Sequence, residues 1–273
     1  MNNSTVDFIT PPLNKDVNTM EISMMSIQIL FGFPTQSYVI WLIIKGTGNG
    51  ITMEFFLLNS AVCEILVCLY CLMLILSKLW LSFILFGLFL QGLLFAGRAL
   101  FQCLICVERY LAVVHPVIFL KYKPLRYRVM CCTSVWLFCL GSCFFCVFSL
   151  MSFNTNAQAW FFSILFLVLL PIQLFCLSAV LRALKQSGPG EKGSEREKEN
   201  QMKRRAFYLI LITTVNMVFM YAPFIFTGFF TIVTQAYVQA VWIPAMVSYG
   251  VGGYLQPVLY LHRCGKLACC AST

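Results

Sequence analysis

Few side chains in this sequence are equipped for chemistry, and two of them stand where charge is costly. Glu64 interrupts a long apolar run that includes Ala61, Val62, Ile65 and Leu66. Arg98 interrupts another, between Phe95-Ala96-Gly97 and Ala99-Leu100-Phe101. A lone charge buried in hydrocarbon costs at least ~2.5–3.5 kcal/mol, so an acid and a base so placed form a candidate ion pair. The rival arrangement is a protonated Glu64 with Arg98 bound to backbone carbonyls or water. At the end of the same run as Arg98 stands Glu108-Arg109-Tyr110. An arginine there either meets an anionic partner or snorkels to lipid phosphates. Pro171, Pro223 and Pro257 also lie inside apolar runs, each removing a helical hydrogen bond and acting as a hinge or a static kink. No Cys/His cluster has metal-ligand spacing. We expect no enzyme activity, catalytic residue, metal or cofactor.

The elements that hold these residues follow from composition. Hydrophobic residues make up 60% of the 273 positions and charged residues 11%, against roughly 25% charged in a typical soluble domain. Soluble domains cannot hide that much apolar surface, so the main solvent is lipid. Seven stretches reach the ~20 apolar residues of a spanning helix, at about 23–44, 54–77, 83–111, 129–150, 159–184, 204–230 and 236–261. The expected fold is therefore an all-α membrane protein, a seven-transmembrane helix bundle over 23–261. An N-terminal tail covers 1–22, a solvated cytosolic loop about 185–203, and a short tail 262–273. That loop contains Ser187-Gly188-Pro189-Gly190 and a charge run, the composition of a mobile linker. The first 22 residues contain no apolar signal core, so the first span is expected to direct insertion.

Orientation follows from the 19 Lys and Arg. With the N-terminus outside, all but Lys15, Lys78 and Arg98 fall on or beside the cytosolic face, as the positive-inside bias requires. The C-terminus is then cytosolic. The basic stripe Lys121 to Arg128 is attracted to anionic membrane lipid rather than to nucleic acid. Depth can then be counted at 1.5 Å per residue. Glu64 lies ten residues beyond Glu54, at the inner end of the second span, and so ~15 Å deep. Arg98 lies eleven residues before Arg109 on the oppositely directed third span, ~16 Å above the same face. The two stand level.

Asn2 and Asn3 begin Asn-x-Ser/Thr triplets on the outer side, candidate glycosylation sites. Cys264, Cys269 and Cys270 follow the last span, where a short interfacial helix fits; they are either palmitoylation sites or unmodified juxtamembrane cysteines. Of the 14 cysteines, none falls in a predicted extracellular segment, so no structural disulfide is expected.

Local motifs resemble those of the rhodopsin-like G-protein-coupled receptors. Glu108-Arg109-Tyr110 with His115-Pro116 is similar to the Asp/Glu-Arg-Tyr signature and its loop His-Pro. Leu58-Asn59-Ser60-Ala61-Val62-Cys63-Glu64 resembles Leu-Asn-x-Ala-x-x-Asp, and Gln256-Pro257-Val258-Leu259-Tyr260 resembles Asn-Pro-x-x-Tyr. Trp136, Pro171 and Pro223 stand where the family keeps a tryptophan and two prolines. Departures occur at Gln36 for an asparagine, Ile84 for the outer cysteine of the third span, Ala179 for a tyrosine, Tyr221 for a tryptophan and Gln256 for an asparagine.

The resemblance implies a plasma-membrane, multi-pass receptor without catalysis. It would bind an extracellular ligand and engage a heterotrimeric G protein through the inner ends of the third, fifth and sixth spans. Glu108, Arg109, Tyr110, Tyr221, Pro223, Pro257 and Tyr260 would form the coupling and activation switch, with Glu108 as a local partner for Arg109. The position that often locks the arginine falls at the basic Lys203. Gln91, Phe95, Ser163, Phe224, Trp242 and Met246 would line the ligand pocket, unless they simply make a hydrophobic helix interface. Gln91 replaces the aspartate of amine receptors, and the seventh span has no lysine for a retinal Schiff base, leaving a small neutral or apolar ligand. The family usually holds a sodium ion between the positions of Glu64 and Arg98, and here the guanidinium would stand in the cation's place. The alternatives are a transporter or channel, and a receptor-like protein with weak or no signalling.

Overall fold

The computed structural model describes residues 12–45, 54–77, 80, 82–122, 124–152, 155–186, 194–234 and 239–263. Among them the secondary structure is entirely helical. Helix α1 runs Pro12–Ile27, passes through a π turn at Gln28–Gly32 and continues as Phe33–Lys45. α2 is Phe55–Ser77. α3 comprises Phe83–Gly92, a π turn Leu93–Gly97, and Arg98–Val114. A short helix, Pro116–Tyr122, leads to α4, Leu125–Met151. α5 is Thr155–Gln186, α6 Ser194–Thr234 and α7 Gln239–Arg263.

Six of these helices are long and apolar enough to cross a membrane, the first of those stretches beginning at Thr19. α7 falls outside that group because Pro244, Ser248, three glycines and Gln256 dilute its apolar residues. Its packing is nonetheless that of a bundle member: it lies against α6 on one side and α1 on the other.

Two expected boundaries move. The tail 1–22 gives way to helix at Pro12, consistent with the fit of proline in a first helical turn, where its missing N–H leaves no bond unmade. The loop expected over 185–203 is shorter, because α5 continues to Gln186 and α6 begins at Ser194. The charge run there was read as solvated linker. It is also rich in helix formers, Ser194-Glu195-Arg196-Glu197 has capping-box spacing, and Glu199 and Lys203 stand four apart.

Consecutive helices pack as neighbours and α7 closes the ring onto α1. α3 is the axle, touching α2, α4 and α5. Of its most apolar stretch 67% is buried, against 44% or less for the other five. The outer faces carry Phe144, Phe148, Phe175, Phe226 and Val233, each more than 60% exposed. Such surfaces belong against lipid, where helices associate by close packing and small residues rather than by escape from water.

Gly92 is one such residue. A Cβ there would collide with the backbone of Ser142 and Cys143 on α4, and backbone cannot rotate out of the way. We therefore expect Gly92→Val to prise α3 from α4 and destabilise the purified protein by about 1–3 kcal/mol, the usual range for overpacking. Thermal unfolding in detergent, read against Gly141→Val, checks this, because a Cβ at Gly141 meets nothing within 4 Å.

Candidate functional site

The two charges counted to equal depth stand together in the structure. Arg98 Nε donates to Glu64 Oε1 and Nη2 to Glu64 Oε2, both at 2.6 Å. This is the bidentate fork that a planar guanidinium offers a carboxylate. Arg98 is 1% exposed and Glu64 4%. The third nitrogen, Nη1, donates to the backbone carbonyl of Tyr249 on α7 at 2.7 Å. The Tyr249 ring lies 4.5 Å from Arg98 Cζ, within cation–π range. One guanidinium thus joins α2, α3 and α7.

Local sequence makes room for it. Arg98 follows the π turn Leu93–Gly97, and such insertions re-aim the side chains around them. On α7 a Cβ at Gly253 would lie 2.7–3.0 Å from the guanidinium atoms, so the missing side chain is the space Arg98 fills. The Tyr249 hydroxyl donates to the Leu94 carbonyl in the same π turn at 2.9 Å, fixing the ring that covers the cation.

Further polar links cross the bundle. The Tyr221 hydroxyl donates to Gln102 Oε1 at 2.6 Å, tying α6 to α3. Trp136 Nε1 on α4 donates to Asn59 Oδ1 on α2 at 3.0 Å. Asn216 Nδ2 on α6 donates to the Gly252 carbonyl on α7 at 3.1 Å. Gln173 Nε2 on α5 donates to the Ala99 carbonyl on α3 at 3.0 Å.

At the far end of α3, adjacent residues diverge, because neighbours on a helix point about 100° apart. Glu108 turns toward α4, where Arg128 Nη2 lies 2.5 Å from its Oε1. Glu108 is thus ion-paired across to Arg128 on α4, beyond the local pairing with Arg109 that the sequence suggests. The physical reason is need: Arg128 is 4% exposed, and so deeply buried a cation requires a counter-charge. Arg109 instead lines a cavity of ≈ 330 Å³ between α3, α5, α6 and α7, with Gln102, Leu177, Asn216, Met217 and Tyr260 among its other walls. Tyr110 hydrogen-bonds His115 Nε2 at 3.0 Å, bracing the turn after α3.

Pro171, Pro223 and Pro257 lie inside α5, α6 and α7, joined by Pro244 in α7. Tyr221 is fully enclosed, and Tyr260 packs with Val39, Leu42 and Ile43 of α1. Of the expected ligand-lining residues, Phe95, Phe224 and Trp242 meet in one ring cluster. Phe95 and Phe224 are 5.2 Å apart and Phe224 and Trp242 5.8 Å apart by ring centroid. Phe162, Phe166 and Tyr249 complete it. Ser163 is buried where α5 meets Gly228 of α6, Met246 packs at the cluster's edge, and Gln91 is half-buried. Asn2, Asn3, Cys264, Cys269 and Cys270 lie outside the described residues, as do the side chains of Ile84, Lys203 and Gln256.

A rhodopsin-family model for seven-transmembrane receptors matches residues 36–260, most of the chain and every bundle helix. The chain belongs to the rhodopsin family of seven-transmembrane receptors. No curated relative matches the sequence. This receptor is accordingly a multi-pass membrane protein of the plasma membrane and not an enzyme. Glu64, Arg98 and the Glu108-Arg109-Tyr110 motif all fall within the matched residues.

Four contributors escaped the sequence reading: Gln102, Tyr249, Gly253 and Arg128. Gln102 lies four residues after Arg98, a spacing that puts both on one helix face. Gly252-Gly253 inside a span was a visible sign of close approach. Arg128 was read only as part of a basic loop, and Tyr249 carried no signal.

If the ion pair is a single unit, removing either partner strands a buried charge. We expect Arg98→Met and Glu64→Gln each to lower stability by about 3–5 kcal/mol, and the double variant to recover much of the loss. Thermal unfolding of the purified variants decides it, and strictly additive losses would sink the pair.

Proposed function

We propose that this receptor binds a small neutral or apolar ligand from outside and activates a heterotrimeric G protein at the Arg109 end of the bundle. In this reading the N-terminus is extracellular and the C-terminus cytosolic. Asn2 and Asn3 then carry glycans, and Cys264, Cys269 and Cys270 are lipidated. One observation carries the coupling role: Arg109 lines a cavity of ≈ 330 Å³ whose other walls are mostly apolar. A cationic group on an apolar, concave surface suits an amphipathic helix that offers both apolar side chains and carboxylates or carbonyls. Pro223, two residues beyond the Tyr221–Gln102 hydrogen bond, is the hinge about which α6 swings to widen that cavity.

Ligand chemistry follows from the outer half of the bundle. Phe95, Phe224 and Trp242 offer rings, while Gln91 and Ser163 offer uncharged polar groups. A ligand able to act must bind the α6-out state better than the other, since equal affinity shifts nothing. A second reading, a receptor-like protein with weak or no signalling, is favoured by that ring cluster, which already packs Phe95 against Phe162, Phe166, Phe224 and Tyr249.

G-protein recruitment in cells, across lipid and odorant-like panels, separates the two readings. Arg109→Ala is expected to reduce basal or ligand-driven recruitment to background while leaving surface expression unchanged. Recruitment that survives Arg109→Ala rules out the coupling role. Because Arg98 already supplies a cation beside Glu64, changing external sodium for potassium is expected to leave ligand binding unaltered.

A further inference from the structure

One carboxylate at the end of α3 has two arginines within reach of its charge. Glu108 is bonded to Arg128 at 2.5 Å, while Arg109, its neighbour in sequence, stands on the cavity wall. Arg128 is no ordinary loop cation. It sits at the start of α4, 4% exposed, with its guanidinium 5.9 Å from the ring of Phe56 on α2. The Glu108 side chain is 19% exposed, so the bond is screened on most sides. Three helices therefore meet at Arg128: α4 carries it, α3 supplies its counter-charge and α2 its aromatic floor.

A carboxylate held this way has a preferred direction. Bonded to Arg128, it is drawn to the α2–α4 side of α3, away from the cavity between α3, α5, α6 and α7. Without Arg128, the nearest strong counter-charge is Arg109, one residue along. Coulomb attraction at such short range inside a poorly solvated site is large. The carboxylate would then draw the Arg109 guanidinium toward itself and off the cavity wall.

We propose that Arg128 is a positioning residue of the coupling site: by holding Glu108 on the α4 side, it keeps Arg109 presented to the cavity. This rests on the coupling role given to Arg109 above. Arg128 touches no partner itself and acts only through Glu108. Its effect should disappear when Glu108 can no longer carry charge, whereas a purely structural effect should not.

The test uses the full-length receptor in lipid nanodiscs with a panel of purified heterotrimeric G proteins, measuring basal nucleotide exchange per folded receptor. Arg128→Gln is expected to lower exchange by about tenfold, within the range of a single coupling interaction. Arg128→Lys, which keeps the charge, should stay near wild type. Glu108→Gln added to Arg128→Gln should restore exchange to the level of Glu108→Gln alone. If Arg128→Gln does not fold, the double variant still decides, because it buries no unpaired charge; further loss below Glu108→Gln overturns the proposal. So does wild-type exchange in Arg128→Gln, or an Arg128→Gln defect that the second substitution leaves in place. Arg109→Ala run in parallel separates the two layers. Exchange that survives it, or no exchange above background in wild type, defeats the coupling reading itself. Its loss there, with Arg128→Gln unaffected, defeats only the role of Arg128.

Discussion

A charge in hydrocarbon must find an opposite charge or a polar cage, and that requirement organises the centre of this receptor. Arg98 meets it with three partners at once: the Glu64 carboxylate, the Tyr249 carbonyl and the Tyr249 ring. Each partner lies on a different helix from Arg98, and each can reach it only if α2, α3 and α7 stand in one register. A slip of α7 that put Tyr254 in the place of Gly253 would fill the guanidinium's space. The ion pair is weak evidence for net stability, since burying two charges costs about what their attraction returns. It is better understood as a specification of register.

Around that centre, the other polar links divide the bundle along its length. Above lie the rings of Phe95, Phe166, Phe224 and Trp242; below lies the cavity that Arg109 lines. The Tyr221–Gln102 hydrogen bond lies on the boundary between them, since Tyr221 touches Phe166 among the rings and Gln102 forms part of the cavity wall. A rearrangement of the rings by a ligand would thus reach the cavity through one buried hydrogen bond. That bond replaces whatever a tryptophan would do at the Tyr221 position, and it gives α6 and α3 a polar contact where apolar packing alone would allow sliding.

Close packing does the rest. Gly92 lets α3 touch the backbone of α4, and Gly252 accommodates Met220 where α7 meets α6. In lipid such contacts count for more than hydrophobicity, because Leu and Phe lose nothing by facing acyl chains. The exposed Phe144, Phe148 and Phe226 illustrate this: large rings of α4 and α6 face outward, while cysteines such as Cys63, Cys139 and Cys143 fill the interior.

Much of this was determined by the sequence alone. Long apolar runs with few charges cannot be anything but membrane helices, because lipid leaves no other way to satisfy the backbone. Counting along two antiparallel helices brings Glu64 and Arg98 to the same depth. What one-dimensional counting misses is azimuth, the direction in which a side chain leaves its helix. Azimuth decided that Glu108 faces Arg128 while Arg109 faces the cavity, and that Tyr249 and Gly253 present a carbonyl, a ring and a gap to Arg98. It also decided that Phe95 and Phe224 meet other rings. The helical start of α6 at Ser194 was missed for a related reason: a charged segment reads as solvated linker, and only its local propensity and capping spacing argue for helix. Depth is set by residues per turn, a property of each helix alone; azimuth is set by which neighbours a helix packs against, and only the assembled bundle contains that information.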